Sequence, residues 1–228
     1  MLFLHGFGGS KNSFLSSFEH LSMFFHCISL DFAGFGDNPE PQTAYSVTDY
    51  AVDVVNFLKN KGIDNIIVIA HSFGCRIALK LNYLCPNLIS KMIITGGAGI
   101  KPRHGISYYY KVLKFKFAKK MVACNILKKE KLLKFGSSDY KSLSPIMKQT
   151  FINVVVEDLS CYAKLVKCKT LLFWGEYDCE TPLYMAKRLN KYIKRSKLII
   201  VKDKGHFAYL EEDILFKESI VDFLNERE

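Results

Sequence analysis

The chain has 228 residues, 49% of them hydrophobic and 24% charged, with a net charge of +10. That length holds one sizeable core, and no apolar run approaches the roughly 20 residues of a membrane-spanning helix. Seven scattered cysteines (27, 75, 85, 124, 161, 168, 179) form no C-x-x-C pair. With no secretory signal at the start, they read as reduced thiols of a cytoplasmic protein, not as a disulfide framework or zinc site.

Met1-Leu2-Phe3-Leu4 reads as a core strand that runs into His5-Gly6-Phe7-Gly8-Gly9-Ser10. Residues 10–25 carry Phe14, Leu15, Phe18, Leu21 and Phe25 at helical spacing, a broad apolar face. Cys27-Ile28-Ser29-Leu30 is a short strand, followed by Asp31-Phe32-Ala33-Gly34-Phe35-Gly36-Asp37. Ser46 or Thr48 caps a helix with Tyr50, Val54, Phe57 and Leu58 on its inner face. Residues 65–69 are a β-branched apolar run, the pattern of a buried strand, and the helix predicted over 73–84 follows directly. Between them stands Ala70-His71-Ser72-Phe73-Gly74. After a strand at 91–95, Gly96-Gly97-Ala98-Gly99 breaks the pattern, and the strand–helix alternation stops until Lys169. It resumes with strands at 169–174 and 197–201, each ending in a polar loop, and helices at 182–192 and 213–225. The division expected is a core of residues 1–100 and 161–228 with a helical insert at 101–160.

A serine in a sharp turn between strand and helix, flanked by small residues, has its hydroxyl pushed out at the top of a sheet. Such a serine needs a base, and the base needs an orienting acid. Gly175-Glu176-Tyr177-Asp178 and Lys204-Gly205-His206-Phe207 follow two later strands. Loops after parallel strands gather at one sheet edge, so Ser72, Asp178 and His206 are the candidate nucleophile, acid and base. Each has a bland alternative: Ser72 as a helix N-cap, His206 as a core histidine, and Asp178 as a cap with Glu176 or Glu180 serving as the acid. The glycines make no G-x-G-x-x-G or G-x-x-x-x-G-K-[ST] spacing, which removes nucleotide binding.

These motifs together resemble the α/β-hydrolase-fold serine hydrolases, in the lidded branch of esterases and carbon–carbon hydrolases. The likeness covers nearly the whole chain: the His-Gly loop at 5–10, the loop at 31–37 (with Asp37 where serine is usual), the nucleophile turn with Ala70 in place of glycine, and the acid and histidine loops. It implies an α/β fold, a mostly parallel sheet flanked by helices with a helical lid. It makes Ser72 the nucleophile, His206 the general base and Asp178 its orienting carboxylate. The backbone N–H groups of Phe7 and Phe73 would form the oxyanion hole. His5, Phe207, Tyr108 and Tyr109 are expected at the substrate pocket. No cofactor or metal is implied. The family's first two strands have no counterpart, so the expectation is a start recorded too late, the alternative being a version without those strands that leaves residues 27–30 as an exposed sheet edge.

Residues 101–148 hold thirteen basic residues against Glu130 and Asp139, more net charge than the whole chain carries. The insert reads first as a lid with its aromatics over the site and its lysines in water. Weak contact with anionic membranes and steering of anionic substrates are the alternatives; no nucleic-acid module accompanies the charge. The function expected is hydrolysis of an apolar carboxylic ester or related acyl bond. Alternatives are carbon–carbon bond hydrolysis of ring-cleavage products and a ligand-binding signalling protein on the same fold. For the first of these, Phe207 stands where a tryptophan is usual and Gly6-Phe7-Gly8-Gly9 lacks the expected Gly-Pro.

Overall fold

A computed structural model describes residues 1–101, 140 and 142–226. Six strands form one sheet: β1 (Leu2–Leu4), β2 (Ile28–Ser29), β3 (Ile66–His71), β4 (Ile89–Thr95), β5 (Lys169–Gly175) and β6 (Ser196–Val201). Their order is β2-β1-β3-β4-β5-β6 and every pairing is parallel. Parallel strands need crossover helices, which cover both faces and bury both side-chain rows. Hence the apolar runs read from the sequence: Val68, Ala70, Met92, Ile94, Leu172 and Trp174 sit in one core cluster, and Ile69, Ile93, Leu171 and Phe173 in the other.

The first cluster is closed by α2 (Val47–Asn60), α3 (Phe73–Leu84) and the later helix Leu183–Tyr192. The second is closed by α1 (Leu15–Ser22) and the C-terminal helix Asp213–Asn225. The cap of α2 is Ser46, which accepts the Asp49 N–H while Asp49 returns a bond to the Ser46 N–H, a capping box. The expected apolar face at 10–25 holds only in part. The segment opens with a 3₁₀ turn (Lys11–Phe14) before α1, which rotates the later residues. Phe14 and Leu21 are buried, but Leu15 is 52% exposed and Phe25 lies beyond the helix in contact with solvent. Ile28–Ser29 is the outermost strand, as the sequence suggested.

Within the expected insert, α4 (Pro145–Val156) and α5 (Ser160–Ala163) are described. The N-terminal half of α4 rests on the 31–45 loop: the Ser144 hydroxyl donates to Glu40 at 2.6 Å, and Thr150 Oγ1 accepts the Tyr45 N–H at 3.0 Å. Its C-terminal end is held by α3. Arg76, one turn past Ser72, donates to the carbonyls of Val155 (3.2 Å) and Glu157 (2.8 Å), satisfying acceptors a helix end leaves open. Lys80 pairs with Glu157 at 2.6 Å and lies 4.1 Å over the Tyr162 ring. Lys80 is buried and Glu157 partly so. Glu157→Gln strands a charge in the interior and should cost about 1–3 kcal/mol, below the usual range for a buried pair because water still reaches the carboxylate. The urea unfolding midpoint reads this directly.

Candidate active site

Ser72 has φ 48° and ψ −109°, a conformation that strains any side-chain-bearing residue by about 1–3 kcal/mol. Three backbone hydrogen bonds hold it: Ser72 N–H to Thr95 O, and Cys75 and Ala98 N–H to Ser72 O. Gly74 allows the turn to close on β1, since a Cβ there would collide with the Leu4 carbonyl.

Asp178 is buried, with all its acceptor capacity in use. Oδ1 accepts the N–H groups of Glu180 (2.9 Å) and Thr181 (2.8 Å). Oδ2 accepts the Thr181 hydroxyl (2.7 Å) and pairs with His206 Nδ1 (2.9 Å). Burial pushes this carboxyl up, yet the hydrogen bonds from His206 and Thr181 outweigh it and hold the group below its ordinary value. Trp174 anchors the loop by donating to Thr181 O at 2.7 Å. Gly175 lets this loop meet the histidine loop: its missing side chain leaves room for the carbonyls of Lys204 and Gly205.

His206 is thus held by Asp178, and Glu180 Oε2 lies 3.4 Å from its other nitrogen, Nε2. Glu176 is used elsewhere, accepting the Asp203 N–H. One face of the His206 ring rests near His71 at 4.6 Å between centroids, and Phe207 lies 5.3 Å from both rings. His71 Nδ1 is 3.0 Å from Thr95 O. Burial first, then the neighbouring His206, lowers His71 to about 3, so it stays neutral at ordinary pH.

Phe73 opens α3, where the first N–H groups have no acceptor inside the helix. Its ring meets that of Phe7 edge-on at 5.6 Å, which ties the His-Gly loop to the nucleophile turn. His5, expected at the substrate pocket, is instead 1% exposed and spends both nitrogens on backbone. Nε2 accepts the Phe32 N–H at 3.2 Å, which leaves Nδ1 to donate to Gly6 O at 2.7 Å. It fastens the two loops together. Phe207 is half exposed beside His206. Tyr108 and Tyr109 lie outside the described residues. Among the described residues of the insert, Phe151 of α4 meets Phe7 edge-on at 5.0 Å. Phe151, Thr181 and the His71 stacking were not anticipated; a Thr three residues after Asp178 was the one visible signal. Among the described residues no His/Cys/Asp/Glu cluster could hold a metal, and no helix is long and apolar enough to cross a membrane.

Comparison with known proteins agrees with the fold. The family model for the alpha/beta hydrolase fold matches residues 1–121, and that of TAP-like proteins matches residues 158–228. An uncharacterized hydrolase of Bacillus subtilis, YugF, is 25% identical over 97% of this chain and 88% of its own. An esterase from Exiguobacterium antarcticum superposes with a TM-score of 0.76 at 21% identity, covering 99% of this chain and 91% of that one. A meta-cleavage product hydrolase from Pseudomonas fluorescens does so with 0.72 at 19%, covering 98% and 89%. With the family model matched over more than half of its residues and a six-stranded parallel sheet covered by helices, the chain belongs to the α/β-hydrolase fold family.

Proposed function

We propose that the protein is a serine hydrolase that cleaves a carboxylic ester through an acyl-enzyme on Ser72. The observation that carries this is the loaded hydrogen-bond set of Asp178, an acceptor for the Nδ1 proton of His206 that leaves Nε2, with Glu180 Oε2 3.4 Å away, as the base. In the first half-reaction Nε2 takes the Ser72 proton as Oγ attacks the acyl carbon. The carbon–oxygen bond to the alcohol breaks, and the same proton leaves with the alcohol. Water activated by Nε2 then releases the acid and restores Ser72. The N–H groups of Phe7 and Phe73 receive the developing oxyanion. Phe7 and Phe151, whose rings meet edge-on at 5.0 Å, favour an apolar acyl group. Asp178, not Glu176 or Glu180, is the orienting acid, because it alone among them meets Nδ1.

Ser72 was open to a bland reading as a helix cap, but its side chain makes no capping bond to α3. The test is labelling by a fluorophosphonate probe. Wild type should label and Ser72→Ala should not, with an ester library to follow. Folded wild-type protein that stays unlabelled sinks the reading and revives the ligand-binding alternative.

A further inference from the structure

We propose that Glu180 and Phe207 select the charge of the departing alcohol, favouring esters whose leaving group carries an ammonium. This rests on the reading of Ser72 and His206 as the acyl-transfer pair, because it concerns the nitrogen that hands a proton to the alcohol.

The leaving oxygen must come within about 3 Å of His206 Nε2 to take that proton. Glu180 Oε2 already lies 3.4 Å from the same nitrogen, so the first atoms of the leaving group pass close beside a carboxylate. The side chain is 67% exposed. Its backbone is nevertheless fixed, since the Glu180 N–H donates to Asp178 Oδ1 at 2.9 Å. The carboxylate that orients the imidazole therefore also positions the second acid. Among the described residues, nearby charges do not cancel it. Asp178 is paired behind the ring, His71 is neutral, and the cation of the histidine loop, Lys204, is engaged by Glu212 at 2.8 Å.

The second element is Phe207. Its ring lies 5.3 Å from the His206 ring and is 47% exposed, which offers an aromatic surface next to the base. A carboxylate and an exposed aromatic ring, each against the same imidazole, suit a quaternary or protonated amine. A phosphate- or sulfonate-bearing alcohol meets repulsion at the same place. At a few ångströms in a partly wet site, one unit charge on the leaving group shifts kcat/KM by roughly tenfold in either direction.

The experiment compares three esters of one acyl group, taken from the best hit of the library. The alcohols are choline, its neutral isostere 3,3-dimethylbutanol, and 2-sulfoethanol, with acid release followed by titration. Wild type should turn them over in that order, and raising salt should narrow the spread by screening. In Glu180→Gln the choline-to-sulfoethyl ratio of kcat/KM should fall about tenfold or more, while Glu176→Gln, the same charge change four residues away, leaves the ratio near wild type. Using a ratio cancels any general loss of catalysis. A ratio that stays within twofold in Glu180→Gln overturns the inference, as does an equal fall in Glu176→Gln. Failure of all three esters with enzyme that labels at Ser72 overturns it too. An absence of labelling would instead identify failure of the underlying serine-hydrolase reading.

Discussion

Asp178→Asn should lower kcat by roughly 10³–10⁴-fold while leaving the fold intact. The hydrogen bonds dictate why. An amide nitrogen cannot occupy the Oδ1 position, where the N–H groups of Glu180 and Thr181 already point. It must take the Oδ2 position and face His206 Nδ1. There it donates, so Nδ1 becomes the acceptor and the ring's proton moves to Nε2. The nitrogen that should receive the Ser72 proton is then already protonated. Fluorophosphonate labelling rates and ester turnover should fall together, with circular dichroism unchanged. A loss of less than tenfold would transfer the orienting role to another group.

The same carboxylate contributes to the acid response of the fold. Its folded-state pKa lies below the 3.8 of an ordinary aspartate. The ionised form is thus favoured by folding, and its stabilisation is complete above that value and lost as pH falls through the lower folded one. Asp178→Asn lacks this term. Its stability deficit against wild type should narrow below about pH 4.

Gly175→Ala should be the more damaging change per atom added. The new methyl would press on the carbonyls of Lys204 and Gly205, both backbone and unable to swing away. The acid and histidine loops would separate. Displacements near 1 Å cost about 10²-fold in catalysis, and the overpacking itself about 1–3 kcal/mol. Labelling rate and urea midpoint measured on one preparation separate the two effects. An enzyme with wild-type labelling would show that the loops tolerate the intrusion.

The nucleophile turn was legible because local rules set it: a β-branched strand, a serine between small residues, and a helix beginning at Phe73. That Asp178 and His206 come together was legible for a related reason, since a parallel sheet sends every strand-end loop to one edge. What the sequence could not show were contacts between segments far apart in the chain. Phe151 on Phe7 and Arg76 on the end of α4 depend on how the insert folds back. His5 looked like a pocket residue because its motif stands beside the oxyanion loop. Its burial and two backbone bonds follow from the 31–37 loop closing over it. At the α1 segment, periodicity was sound but a single 3₁₀ turn shifted its phase and sent Leu15 outward.

The sheet order carries an evolutionary consequence. β4 and β5 are adjacent, with Thr95 beside Phe173, although about seventy residues separate the strands along the chain. That excursion leaves the sheet and returns to the next position. Doubling its length would add only about 0.6 kcal/mol of closure entropy. Ser72 precedes the departure, while Asp178 and His206 follow the return, each fixed by its own strand. The segment between β4 and β5 can therefore be lengthened, shortened or exchanged without re-registering the groups that the strands hold. Tight geometric constraint falls on the strand-end loops, while the excursion between β4 and β5 is left free to vary.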